Sequence, residues 1–231
     1  MSNGKRDSLA YVFLNGDFDR PERDWPQIPS NSDLVIAADG GARHSVSLGW
    51  PVHCLIGDMD SIEPGLLKTL KNSEIIRHPA AKDEIDFELA LSLARKKGYV
   101  NIVVLGALGG RWDMTFGNLF LPRATGWGSD GICFRHGRWT FWNVSGPASL
   151  SIKGAKGDLL SLLPMGEDVR GVSLSNCRYP LWGETLRAGL SRGLSNEMLD
   201  SRCHLEFSSG SLLIMHRESS AGGDVEHCPK V

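Results

Sequence analysis

Leu34-Val-Ile-Ala-Ala38, followed at once by Asp39-Gly40-Gly41, is the stretch from which the fold is read. Five apolar residues without alternation describe a strand buried on both faces, and the abrupt Asp-Gly-Gly marks its end. The same figure recurs in Ala10-Tyr-Val-Phe-Leu14 before Asn15-Gly16-Asp17 and in Cys54-Leu-Ile56 before Gly57-Asp58-Met59-Asp60-Ser61. It recurs once more in Ile102-Val-Val-Leu105 before Gly106-Ala-Leu-Gly109-Gly110. Helix-like segments lie between these runs. The clearest spans Asp83 to Lys97, where Phe87, Ala90, Leu91 and Ala94 share one face. Strand and helix in alternation predict a mostly parallel sheet with flanking helices, an α/β unit of Rossmann-like design. Such sheets bind ligands beyond the carboxyl ends of their strands, where the Gly and Asp clusters fall.

After about Pro122 the pattern changes. Arg138-Trp-Thr-Phe-Trp-Asn-Val144, Ala148-Ser-Leu-Ser-Ile152, Asp158-Leu-Leu-Ser-Leu-Leu163 and Val169-Arg-Gly-Val-Ser-Leu174 are short runs separated by Gly, Pro and Ser. They predict a smaller antiparallel β-sandwich or barrel, the sandwich being the expected form. His204-Leu-Glu-Phe207, then Ser208-Ser-Gly210, then Ser211-Leu-Leu-Ile-Met215 reads as a hairpin. The expected organisation is an α/β domain over 1–125, a β-sandwich domain over 126–216 and a loose tail over 217–231.

The 231 residues are 41% hydrophobic with a formal net charge of -2, which excludes general disorder and argues against a nucleic-acid binder held by phosphate contacts. No window approaches the roughly 20 apolar residues of a membrane span. Met1–Asp7 lacks a signal peptide's apolar stretch, so a cytoplasmic protein is expected. The five Cys are scattered without CxxC spacing and suggest neither a disulfide framework nor a zinc site.

The chemistry is in the acidic clusters. Asp58 and Asp60 flank Met59 just beyond a predicted strand, and residues two apart in an extended turn project to the same side. Asp39, Asp83, Asp86 and Asp113 fall in neighbouring strand-to-helix junctions and are candidates for the same rim. Clustered carboxylates repel, and a cation relieves them; oxygen ligands without His or Cys favour Mg²⁺ carried with phosphates. Capping competes with this reading for Asp83 and Asp86, which stand at N-cap and N3 spacing. Gly40-Gly41 and Gly106-x-x-Gly109-Gly110 permit the close backbone approach of a phosphate-binding turn. Arg111 and Lys82 add positive charge beside the carboxylates, as a polyphosphate substrate requires.

Taken together, Ala38–Ala42, Gly57–Ser61, Lys82–Asp86, Gly106–Asp113, Arg178–Leu181 and Gly193–Glu197 resemble, in order and spacing, the signature of the thiamine pyrophosphokinase family. The resemblance runs from about Ala10 to Met215. It implies transfer of a pyrophosphoryl group from ATP to the hydroxyethyl group of thiamine, giving thiamine diphosphate and AMP. It also implies a homodimer, with ATP on the α/β domain and thiamine near the subunit interface. On this reading Asp58, Asp60 and Asp83 hold Mg²⁺, with Asp83 alternatively accepting the thiamine hydroxyl proton. Arg111 and Lys82 hold phosphate oxygens, and Asp113 orients Arg111 or the metal. Asp39, Gly40, Gly41, Ser61, Gly109 and Gly110 support the nucleotide, with Asp86 behind them. Asn118 hydrogen-bonds substrate, and Tyr179, Trp182, Ser195 and Asn196 offer stacking faces and hydrogen bonds to thiamine.

Two residues depart from the family pattern: Ile85 stands where Thr is usual and Met114 where His is frequent. Neither change removes a carboxylate, so activity is expected to survive. The competing readings are a pyrophosphokinase for a pterin-like alcohol and a non-catalytic nucleotide or thiamine sensor.

Overall fold

The computed structural model describes residues 8–18, 29–79, 81, 83–124 and 131–219. Lys82, the opening Met1–Asp7 and the tail from residue 220 onward lie outside the described residues. The chain divides into two compact units, Met1–Asn118 with Phe134–Gly137, and Leu119–Cys133 with Arg138–Val231.

In the first unit, β1 (Leu9–Phe13), β2 (Leu34–Ala38), β3 (Cys54–Gly57), β4 (Glu74–Arg77) and β5 (Asn101–Leu105) form a parallel sheet in the order β5-β1-β2-β3-β4. β1, β2 and β3 are buried throughout, which is why their sequences are unbroken apolar runs. The chain steps outward from β1 to β4, then crosses back to place β5 on the other side of β1. The direction of winding therefore reverses between β1 and β5, and a crevice opens at their carboxyl ends.

The helices of this unit are α1 (Ala42–Ser47), α2 (Pro64–Thr69), α3 (Asp86–Lys96) and α4 (Trp112–Ala124), which continues into the second unit. α3 buries the four residues that its periodicity singles out, Phe87, Ala90, Leu91 and Ala94. Its start corrects the capping expectation. Ile85 is the N-cap, no side chain caps the helix, and Asp86 is its first residue. Asp83 stands ahead of the helix rather than at its cap. The exposed strand β4 was not anticipated, because Glu74-Ile-Ile-Arg77 is polar at both ends.

β6 (Gly131–His136) is shared between the units. In the second unit come β7 (Trp139–Ser145), β8 (Ala148–Lys153), β9 (Leu159–Pro164), β10 (Val169–Ser175), β11 (Leu181–Leu186), β12 (Asn196–Glu197), β13 (Arg202–Phe207) and β14 (Ser211–Arg217). They form two antiparallel arrays, β12-β9-β14-β7 and β11-β10-β13-β8, as a β-sandwich requires.

The expected hairpin of β13 and β14 does not form. β13 pairs with β8 and β10, while β14 pairs with β7 and β9. Ser208–Gly210 is a corner at which the chain changes sheets, with Gly210 at φ 94. Cys203, Leu205 and Phe207 are buried on one face of β13, whereas the consecutive Leu212, Leu213 and Ile214 bury both faces of β14. At the far end of β14, buried Asp158 accepts hydrogen bonds from the N–H groups of Ala155 (2.8 Å) and Ser219 (2.8 Å) and pairs with His216 Nε2 (2.8 Å). Among the described residues no helix is long and apolar enough to cross a membrane.

Candidate active site

The sheet of the first unit brings its strand ends together as follows. Asp39, the first residue after β2, sits in a left-handed conformation (φ 43) and opens a 3₁₀ turn over Asp39–Gly41. β3 ends next to it at Gly57, whose φ of 143 lets the chain turn where a side chain would collide with the Asp39 carboxylate. Met59 then adopts φ 71 and donates its N–H to Asp39 Oδ1 at 2.9 Å. The Asp60 N–H bonds Asp58 Oδ1 at 3.0 Å, and Ser61 Oγ donates to Asp60 Oδ1 at 3.0 Å.

One carboxylate oxygen from each of Asp39, Asp58 and Asp60 lies within 4.8 Å of the others, with Asp39 buried and Asp60 exposed. Mg²⁺ takes six oxygens at about 2.0–2.1 Å, so ligands of a single ion lie up to about 4 Å apart. The three groups fit that spacing after a small closure. Their oxygen-only chemistry also suits a hard cation.

Burial raises the Asp39 pKa to about 7, helped by its hydrogen bond to Asp86 and by the charges of Asp86 and Asp58. A neutral Asp39 can donate to Asp86 while its other oxygen accepts from Met59. A carboxylate whose charge costs this much is poised to receive a cation.

Asp39 also lines a cavity of about 340 Å³ with Leu14, Asn15, Gly16, Ser61 and Asp86. Gly109, Gly110, Arg111, Met114 and Asn118 belong to the same lining. This is the crevice that the strand order anticipates. Arg111 donates through Nε to Asp113 Oδ1 at 3.2 Å and pairs with its second oxygen, both side chains being largely exposed. The hydrogen bond from Arg111 holds Asp113 below the ordinary carboxylate range.

Asn118 is only 4% exposed, so it is not a helix-face residue in water. Its Nδ2 donates to the Ala107 carbonyl at 2.9 Å, and its Oδ1 is buried without a hydrogen-bond partner among the described residues.

Of the sequence candidates, the structure gathers Asp39, Asp58 and Asp60 in one group and places Asp39, Ser61, Asp86, Gly109, Gly110, Arg111 and Asn118 along the cavity. Asp83 is exposed and lies outside both the three-carboxylate group and the cavity lining. Asp39 takes the third place in that group. Gly40 and Gly41 pack their backbones against Asn15 and Phe13, which supports the turn from behind. The loop Asn15-Gly16 lines the cavity without having been singled out. Its signal was its position directly after an apolar run.

In the second unit, Tyr179 and Trp182 are exposed (55% and 71%). Asn196 is buried, its Oδ1 accepting the Tyr179 N–H at 2.9 Å and its Nδ2 donating to the Tyr179 carbonyl at 2.7 Å. It thus fixes the backbone from which Tyr179 projects. Ser195 adopts φ 56 and donates its N–H to Ser161 Oγ at 3.0 Å.

Residues 25–124 match the thiamin pyrophosphokinase catalytic domain, and residues 145–212 match the thiamin pyrophosphokinase vitamin B1 binding domain. The chain belongs to the thiamine pyrophosphokinase family. It is 28% identical over 188 residues to the thiamine pyrophosphokinase of Bacillus subtilis (strain 168), covering 79% of this chain and 86% of that one. Thiamine pyrophosphokinase 1 of Oryza sativa subsp. japonica is 29% identical over 135 residues, covering 48% of this chain and 50% of that one. The crystal structure of the Bacillus subtilis enzyme superposes with a TM-score of 0.76 at 23% identity, covering 93% of this chain and all (100%) of that one. Yeast thiamin pyrophosphokinase gives 0.67 at 16% identity, covering 93% and 86%. At these identities the two solved structures speak for the fold alone: an α/β unit followed by a β-sandwich.

Proposed function

We propose that this thiamine pyrophosphokinase binds the triphosphate of ATP in the cavity of its first unit. There it transfers the terminal diphosphoryl group to the hydroxyethyl oxygen of thiamine. The observation that carries the reading is the meeting of Asp39, Asp58 and Asp60 from two adjacent strand ends, with Asp39 also lining the cavity that contains Gly109, Gly110 and Arg111. The thiamine oxygen attacks the β-phosphorus, the bond from that phosphorus to the α-phosphate oxygen breaks, AMP departs, and the hydroxyl proton passes to a base. Such chemistry rests on positioning and charge stabilisation rather than on covalent participation of the protein.

Asp39, Asp58 and Asp60 would hold Mg²⁺, which when bound neutralises phosphate charge. Asp83, exposed just ahead of α3, is proposed as the acceptor of the thiamine hydroxyl proton or as a further metal ligand. Arg111 holds phosphate oxygens, with Asp113 orienting its guanidinium through their ion pair. Lys82 is proposed for the same task from the sequence alone. The buried Asn118 Oδ1 meets a donor on the substrate, because an acceptor left alone in a buried setting costs about 1–3 kcal/mol. Gly109 and Gly110, having no side chains, let the phosphates approach the turn closely beside Arg111. Tyr179, Trp182 and Ser195 are proposed to receive the aromatic thiamine cation, with Asn196 fixing Tyr179. A homodimer with its active site near the subunit interface, working in the cytoplasm, completes the reading.

The test is an incubation with ATP, Mg²⁺ and thiamine in which AMP and thiamine diphosphate are followed together. Equal amounts of both products are expected. A pterin alcohol releasing AMP faster than thiamine does would transfer the reading to that substrate class. Tight binding of nucleotide and thiamine without AMP would make the chain a sensor.

A further inference from the structure

The Asn15-Gly16-Asp17 cluster has its own geometry. Beyond the end of β1 the chain runs along the end of β5 in a short ladder. The Leu14 N–H donates to the Leu105 carbonyl (2.8 Å), Gly16 to Gly106 (2.7 Å) and Asp17 to Leu108 (2.8 Å). The last rung is a side chain: Asp17 Oδ2 accepts the N–H of Gly110 at 3.1 Å, across 93 residues of sequence. Gly109 and Gly110 are both left-handed (φ 82 and 64), a turn that glycine adopts at no steric cost. Asp17 accepts the one N–H of this turn that faces it. It packs so closely over Gly109 that a Cβ there would collide with its carboxylate, so the turn and the carboxylate fix one another. Arg111 leaves the turn at the next residue and lines the cavity.

We propose that Asp17 is a positioning residue of this site: by holding the Gly109–Gly110 turn it fixes the direction in which Arg111 leaves the backbone toward the phosphates of ATP. This rests on the phosphate role of Arg111 proposed above. Asp17 does not line the cavity and is itself exposed, so it acts through the turn and contributes little to the core. The requirement is for a hydrogen-bond acceptor at that point.

The test measures calorimetric binding of Mg²⁺–α,β-methylene-ATP to the full chain, with steady-state turnover alongside. Asp17→Ala is expected to weaken the analogue and lower turnover by about tenfold, a loss typical of a mis-aimed side chain, with the KM for thiamine unchanged. Asp17→Asn keeps an acceptor and is expected to remain within about twofold of the parent. In an Arg111→Ala background, adding Asp17→Ala is expected to cost less than about twofold more, since no guanidinium is left to aim. The inference is overturned if Asp17→Ala binds the analogue normally, if Asp17→Asn is as damaging as Asp17→Ala, or if the Asp17 loss is undiminished without Arg111. If Arg111→Ala alone binds the analogue as tightly as the parent, the phosphate role of Arg111 fails and this inference falls with it. An Arg111→Ala variant that is weakened, beside an Asp17 effect that persists in full, sinks the present inference only.

Discussion

Replacing Asp39 by Asn separates what this side chain does for catalysis from what it costs the fold. A neutral Asp39 accepts from Met59 N–H through Oδ1 and donates to Asp86, and an Asn amide reproduces both bonds without a charge. Its carboxyl titrates at about 7 in the folded chain against 3.8 when unexposed to these neighbours. For a raised acid the stabilising contribution is complete below the unfolded value and is lost as pH rises through the folded one. The Asn variant has no such titration. Its stability advantage should therefore grow by roughly 1.4 kcal/mol per pH unit from about pH 4 to about pH 7, then level off on the order of 4 kcal/mol.

Urea unfolding with a chelator present, carried out near pH 5 and near pH 8, measures this. The Asn variant should gain about 2.5 kcal/mol on the parent between the two conditions. Turnover should meanwhile be abolished, because the variant lacks the charge that a cation requires. Adding Mg²⁺ with a non-transferable ATP analogue should raise the parent's midpoint and leave the variant's in place. An advantage that does not change with pH, or a variant less stable than the parent at pH 8, would refute the burial argument.

Asp58→Asn or Asp60→Asn should each lower turnover by at least about a hundredfold, with circular dichroism and oligomeric state unchanged; near-normal rates under Mg²⁺ would remove these residues from the metal site. Met114→His, on the cavity wall, should be tolerated with turnover retained, and a fall in the unfolding midpoint would identify Met114 as packed core. Trp182→Ala, at an exposed position, should raise the KM for thiamine several-fold while leaving that for ATP unchanged, read from paired substrate titrations. In Asp158, burial works against ionisation but is outweighed by the N–H groups of Ser219 and Ala155 and by His216, so its pKa is lowered. Its stabilisation is present above the ordinary carboxylate range and is lost as pH falls through the folded value. Asp158→Ala should cost about 3 kcal/mol near neutral pH and less in acid, measured by urea midpoints.

The parallel sheet was legible because strands buried on both faces leave an unmistakable mark, as in Leu34–Ala38. The polar edge strand Glu74–Arg77 leaves none. β13 and β14 were misread because a three-residue link carries the same local signals whether the chain folds back or turns a corner between sheets. That distinction lies in which strands pair, and pairing is a property of the whole unit. Asp58 and Asp60 were readable as a pair because they are neighbours in sequence. That Asp39 completes their group depends on β2 lying beside β3, which the amino-acid order does not state. Asn118 was named from its spacing for a substrate hydrogen bond, but its burial, and the Oδ1 left unpaired among the described residues, depend on what packs against its helix. The Asp17–Gly110 bond joins two loops through the β1–β5 pairing, and nothing local announces it.

A crystal of the enzyme grown with Mn²⁺ and α,β-methylene-ATP, examined for anomalous scattering, puts the site to its most direct trial. One metal peak is expected at about 2.2 Å from carboxylate oxygens of Asp39, Asp58 and Asp60, with the phosphates running toward Gly109, Gly110 and Arg111. A metal and nucleotide bound elsewhere, with those three carboxylates left unligated, would contradict it.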